Sequence, residues 1–356
     1  MTTALLAWEI GGGQGHLHKL AAISHKLQGC GIKSVFAVKN SNIKELTLPG
    51  KVIQAPQANF QALDEKGDNK AYFYTDILYM FGFSSSLTLN FHIKAWQNII
   101  DLVKPSFIIA DYTPALVLAA KARVPTIVIG YGFTVPPPIE IEKFPPIRSS
   151  PIPDVAIKRT QIVAENVKQV TGFDAPLGQL LNGDRTFIFG IPELDPYADL
   201  RGEIEYMGIH SAPFPQNLWN ENGKSWAYLM DNWSYRNLVI ETFNADCSFG
   251  NIKNILRGKS FALHHASFGT SMTCLLAGIP QIVFPKDLET SITTQKLTNL
   301  GVAVGILEPF TKETLLQEND YLPQISKNAQ LEAKKLAYWN QSFLSKIIES
   351  CLEMIN

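Results

Sequence analysis

Long apolar runs are missing from this sequence. Nothing in it approaches the ~20 consecutive apolar residues that span a bilayer, and the opening Met1-Thr2-Thr3-Ala4-Leu5-Leu6-Ala7-Trp8 has neither the basic start nor the length of a signal peptide. A chain with no transmembrane segment is expected, with scope only for peripheral contact with a membrane. Charge of one sign is missing too: 31 Lys and Arg stand against 32 Asp and Glu, a formal charge of -1. No global field then recruits nucleic acid or an anionic membrane, so any anion has to be held locally. The four cysteines, Cys30, Cys247, Cys274 and Cys351, form no CxxC pair, which argues against a disulfide scaffold and a zinc site and for free thiols in the cytoplasm. The GxGxxG fingerprint is absent as well, because His16 stands three positions after Gly13, and a nicotinamide dehydrogenase is the weaker reading.

What is present is a strand-helix alternation repeated along 356 residues, a length that calls for two hydrophobic cores. Residues 4–8 read as a strand that ends in Gly11-Gly12-Gly13-Gln14-Gly15, and Leu17, Leu20, Ala21, Ser24 and Leu27 follow at helical spacing. Gly29 and Gly31 close that helix, and 32–38 resumes as a strand. Strands over 107–110, 125–129 and 186–189 and helices over 114–121 and 154–170 continue the pattern. Seven prolines between Pro136 and Pro153 leave only extended, polyproline-like backbone there. The pattern weakens over 197–210, which puts the domain boundary near residue 200. Beyond it, strands over 226–230, 261–264, 280–284 and 302–306 alternate with helices over 238–243, 271–277 and 293–300, and 325–355 is largely helical. The expected fold class is α/β, with doubly wound domains at 1–200 and 201–330.

In such folds ligands sit at the carboxyl ends of strands, and a small-residue turn entering a helix offers N–H groups and a positive dipole end to a phosphate. Each half has one such turn, at Gly11–Gly15 and at Phe268-Gly269-Thr270. His16, directly after the first turn, can take a proton near neutral pH and is the candidate general base. The same residue could instead pack or cap the helix start. His18 lacks the i, i+4 spacing to pair with it on a metal. His264 and His265 point to opposite faces of a strand, and His264 reads as packed. His25, His92 and His210 read as structural or surface residues. Tyr72, Phe73, Tyr74, Tyr79, Phe81, Phe83, Phe91 and Trp96 read mostly as core, with an aromatic ligand wall as the alternative.

The segments Gly12-Gly13-Gln14-Gly15-His16-Leu17, His265-Ala266-Ser267-Phe268-Gly269-Thr270, Leu276-Ala277-Gly278-Ile279-Pro280-Gln281 and Leu288-Glu289-Thr290 occur in this order and spacing. Together they resemble the family 1 glycosyltransferases of GT-B type, which include the UDP-glycosyltransferases and, more distantly, the GlcNAc transferase of peptidoglycan synthesis. Asp111 and Gly130-Tyr131-Gly132-Phe133 before Pro136-Pro137 extend the resemblance over most of the chain.

The resemblance implies two Rossmann-like domains facing across a cleft, with the acceptor in the first and a nucleotide sugar, most commonly a UDP-sugar, in the second. It also implies a final helix over 331–356 that packs back on the first domain. The implied reaction is an inverting, metal-independent transfer with no cofactor beyond the nucleotide-sugar co-substrate. His16 would deprotonate an acceptor hydroxyl and Asp111 would orient it, unless Asp111 only caps the next helix. His265 would hydrogen-bond the diphosphate, Gly13, Gly15, Ser267, Gly269, Thr270 and Ser271 would line the donor site, and Glu289 would grip sugar hydroxyls or lie free on the surface. An apolar or aromatic acceptor, small or lipid-like, would suit the aromatic and proline-rich segments. Ser267 stands where the family has glycine, Thr290 where it has glutamine, and 243–259, where the base is read, is short. Two alternatives stand beside this reading: a nucleotide-sugar epimerase or hydrolase on the same fold, and, prompted by these departures, a degenerate, non-catalytic subunit that binds nucleotide sugar or glycan.

Overall fold

The structure, a computed structural model, describes residues 2–12, 15–40, 47–63, 70–140, 143–144, 146–147, 151–208, 218–341 and 343–355. The chain divides into two compact units, one of Met1–Phe189, Tyr197–His210 and Phe343–Asn356, the other of Gly190–Pro196 and Ser211–Ser342. Among the described residues no helix is long and apolar enough to cross a membrane.

The first unit contains β1 (Thr3–Trp8), α1 (Gly15–Gly29), β2 (Lys33–Val38), β3 (Lys51–Gln54), α2 (Tyr74–Leu78), α3 (Ser86–Val103), β4 (Phe107–Asp111), α4 (Pro114–Ala120), β5 (Thr126–Tyr131), α5 (Asp154–Thr171), α6 (Leu177–Leu180), β6 (Arg185–Phe189) and β7 (Glu205–Tyr206). Its seven strands are all parallel, in the order β3-β2-β1-β4-β5-β6-β7. β4 is buried throughout and β1 almost so, which explains why they are near-continuous apolar runs: a parallel sheet covered on both faces has no wet side to alternate toward. The chain winds outward from β1 to β3 and then returns to β4 on the other side of β1. The carboxyl ends of β1 and β4 thus flank the topological switch point, where open sheets of this kind bind ligands. β3, β7 and the 18-residue α3, which carries Phe91 and Trp96, are elements that the sequence pattern did not reveal.

The second unit contains β8 (Trp226–Tyr228), α7 (Arg236–Phe243), α8 (Ile252–Ile255), β9 (Ala262–His264), α9 (Phe268–Leu276), β10 (Gln281–Val283), α10 (Leu288–Asn299), β11 (Ala303–Gly305), α11 (Lys312–Glu318) and α12 (Leu322–Lys335). Its sheet is smaller, four parallel strands in the order β11-β10-β9-β8. α9 starts three residues before the expected Ser271, with Ser267 in the cap position. α10 starts at Leu288 because Asp287 and Thr290 close a reciprocal capping box. Gly278, in left-handed backbone at φ 70°, follows α9 where a Cβ would lie 2.8 Å from Gln330 Nε2.

The helical C-terminal stretch is two helices. α12 ends at Lys335, and α13 (Leu344–Glu353) belongs to the first unit. Leu344, Ile347, Ile348 and Cys351 recur at i, i+3, i+4 and i+7 and are buried in one cluster with Leu17, Leu20, Ile23 and Leu27 of α1. Each such side chain contributes about 2 kcal/mol of burial.

Candidate active site

His16 enters the first unit as the second residue of α1, and Asp111 as the last residue of β4, in register with Trp8 of β1. His16 Nδ1 lies 3.0 Å from Asp111 Oδ2, in a bent approach rather than a linear hydrogen bond. Its ring stacks on Trp8 with centroids 5.1 Å apart. Thr113, not Asp111, holds the N-cap position of the helix that follows, without a side-chain cap bond, so the Asp111 carboxylate is not spent as a cap. Burial alone would raise its pKa; the Lys19 ammonium, and after it His16, overcome that and hold it below the ordinary carboxylate range. Lys19 Nζ reaches both carboxylate oxygens at 3.1 Å and lies 4.0 Å from the centroid of the Tyr131 ring.

Gly11, at φ 88°, is needed here for two reasons. Left-handed backbone favours glycine, and a Cβ would stand 3.0 Å from His16 Nε2. The outer nitrogen of the imidazole is kept clear by the missing side chain. Tyr112, directly after Asp111, also takes left-handed backbone at φ 53°, an uncommon and mildly strained state for a bulky residue that clusters at functional sites. Gly15 is the exposed first residue of α1, beside the Tyr131 hydroxyl. Gly13 lies outside the described residues. His18 points to solvent.

A second buried acid, Glu9, follows β1 directly. Its pKa is pushed up to about 8, because burial outweighs the hydrogen bonds it accepts from the Trp96 indole, at 2.9 Å, and from the Leu116 backbone. His92 of α3, buried rather than a surface residue, stands with Nε2 3.5 Å from Glu9 Oε1, and burial lowers its pKa. At neutral pH Asp111 is thus ionised and Glu9 neutral.

In the second unit the sites expected for the donor lie at the carboxyl ends of β9 and β10. His265 follows β9, and its Nδ1 lies 2.9 Å from the Phe284 carbonyl while its Nε2 accepts the Met230 N–H at 3.1 Å. Burial, the largest cause, pulls its pKa down. Both ring nitrogens are therefore engaged by backbone, and neither presents an N–H to a diphosphate. Ala266 takes left-handed backbone at φ 57°. Ser267 Oγ bonds Thr270 Oγ1 at 3.0 Å, and Phe268 packs onto Gly190, where a Cβ would come within 2.5 Å of its ring. The N–H of Ser271 donates to Ser267 O at 3.0 Å, which corrects the expectation that it faces a phosphate: the early start of α9 consumes it. Gly269 and Thr270 hold first-turn positions whose N–H groups a helix leaves unmet. Glu289 is half-buried in the first turn of α10. Thr290 spends its hydroxyl on the Lys286 and Asp287 N–H groups and on Asp287 Oδ1. At the end of β8, exposed Tyr228 stacks on Trp226 at 5.8 Å and meets Phe249 edge-on at 6.1 Å.

Sequence reasoning missed Lys19 and Glu9, and it read Trp96 as core without its bond to Glu9. The signal for Lys19 was present: at i+3 from His16 it shares that residue's helix face. Glu9 was visible as a lone acid between Trp8 and Ile10.

No family model matches the chain. Over 84 residues it is 32% identical to the glycosyltransferase GtfC of Amycolatopsis orientalis, a match covering 23% of this chain and 20% of that protein, so the chain spans about a fifth of the length of the curated relative it matches. The structure of the calicheamicin glycosyltransferase CalG4 superposes with TM-score 0.64 at 11% identity, over 99% of this chain and 98% of that one. That of the spinosyn rhamnosyltransferase SpnG, complexed with thymidine diphosphate, gives 0.60 at 12% identity over 99% and 100%. The fold is the GT-B fold of these proteins.

Proposed function

We propose that this chain is a glycosyltransferase that moves a sugar from a pyrimidine nucleoside diphosphate to an acceptor hydroxyl. His16 Nε2 takes the hydroxyl proton, the oxygen attacks the anomeric carbon from the side opposite the leaving group, and the configuration inverts. Asp111 stabilises the imidazolium that forms. The N–H groups of Gly269 and Thr270 and the dipole of α9 meet the diphosphate charge, so the step calls for no metal. The base lies against Tyr228 and Phe249, and Glu289 meets the sugar. Free thiols suit a reducing compartment, and we place the enzyme in the cytoplasm.

The observation that carries this reading is the His16–Asp111 contact at the switch point of the first sheet, with the outer nitrogen left open by Gly11. The fold likeness and the short match to GtfC support it, and the thymidine diphosphate bound by SpnG favours thymidine beside uridine as the base. The test is transfer from TDP- and UDP-glucose to a panel of phenols and aliphatic alcohols. His16→Ala is expected to abolish sugar transfer while calorimetry still detects nucleotide binding; unchanged turnover would overturn the base assignment.

One observation favours a second reading. With both His265 nitrogens engaged and Phe268 packed at the start of α9, the second unit suits a subunit that holds a sugar or glycan without turnover. Absence of calorimetric binding for both TDP-glucose and UDP-glucose would select it.

A further inference from the structure

Lys19 touches neither the acceptor hydroxyl nor the donor in the proposed transfer. Its side chain is wholly buried, a state lysine reaches only when its charge is met. It leaves α1 on the face that carries His16, and the two side chains converge on one carboxylate, His16 at 3.0 Å and Lys19 at 3.1 Å. Asp111 thus carries one negative charge between two groups able to carry a positive one. Were His16 the sole partner, the buried carboxylate would favour imidazolium, because an opposite charge at this distance favours the charged form. An imidazole that already holds its second proton cannot take one from a hydroxyl.

We infer that Lys19 is a positioning residue: its ammonium neutralises Asp111, so that the carboxylate orients His16 without holding a second proton on Nε2. This rests on His16 being the base. The groups around the imidazole fit the assignment. Trp8 from β1 and Tyr112 after β4 flank the ring, and Tyr131 of β5 lies over the Lys19 ammonium. Lys39, just past β2, donates to the Gly11 carbonyl at 3.1 Å, and Glu9 is held by Trp96. Lys19 is the ammonium in contact with Asp111.

The test needs no substrate. In protein labelled with ¹⁵N-histidine, the His16 resonances are identified by their loss in His16→Gln, and their titration midpoint is followed by NMR. Lys19→Met is expected to raise that midpoint by about one to three pH units, the usual effect of a close opposite charge left unopposed. Lys19→Met with Asp111→Asn, which leaves no unpaired charge in the interior and folds even where the single variant does not, is expected to stay within about half a unit of the unaltered chain or above it. An unmoved midpoint in Lys19→Met, or a fall of about a unit or more in the double variant, would overturn the inference. Turnover retained by His16→Ala would instead defeat the base assignment and leave the NMR result standing.

Discussion

Two histidines, His16 and His265, each stand where a parallel strand gives way to a helix, and they are wired in opposite ways. His16 has a carboxylate behind Nδ1 and, among the described residues, nothing bonded to Nε2. His265 has a carbonyl facing Nδ1 and a backbone N–H on Nε2. An imidazole backed by a negative charge and open in front can accept a proton. One held by backbone on both sides braces two strand ends. Residue type and position in the fold are the same; the partners decide the chemistry.

The largest effect that tests this contrast is on turnover. His16→Ala is expected to lower kcat/KM by about 10²–10⁴, the usual worth of a general base. His265→Ala is expected to act on stability, by about 1–2 kcal/mol for its two hydrogen bonds, read as a lower denaturation midpoint. Similar losses of turnover in both variants would erase the distinction.

Next comes Asp111→Asn. It strips Lys19 of its counter-charge in the interior and is expected to cost about 3 kcal/mol of stability as well as activity. A denaturant titration measures the first and a transfer assay the second.

Two buried groups, one in each unit, also respond to pH with opposite sign. Glu9 has a folded pKa of about 8, above its ordinary value, so the native state holds an extra proton between pH 4.5 and 8. Its contribution is full below that window and is lost as pH rises through it. His264, buried in the second unit with a pKa lowered to about 4 by burial, behaves in reverse: its contribution is full above pH 6.5 and is lost as pH falls toward 4. Glu9→Gln is therefore expected to match the unaltered chain near pH 4.5 and to be more stable by a few kcal/mol, roughly 2–4, at pH 8. Melting curves at the two pH values check it, and equal differences at both would contradict the assignment.

The smallest expected effect is at Thr290. Replacing it by valine removes the capping box of α10 at a cost of about 1 kcal/mol in melting experiments. Glutamine there, the residue expected from the resemblance, is expected to cost as much, because the hydroxyl serves the cap.

Much of the α/β order was legible in residues 3–38, 107–131 and 262–305, where apolar runs alternate with helical spacing. The short edge strands β3 and β7 were not, since two to four partly exposed residues carry no period. The start of α9 was misplaced by three residues because Phe268-Gly269-Thr270 reads as a turn, while Ser267 holds the cap position and Phe268 already opens the helix. In the site, His16 was legible from its place after the glycines. That Asp111 serves Lys19 as well was not.

The sequence by itself determined which stretches are strands and helices and where a helix start meets small residues, because those properties repeat with local periods. Only the tertiary structure decided which side chains share a charge. Lys19 and Asp111 are 92 positions apart, and parallel strands joined by crossovers bring such positions together through the order of the sheet, which no local period encodes.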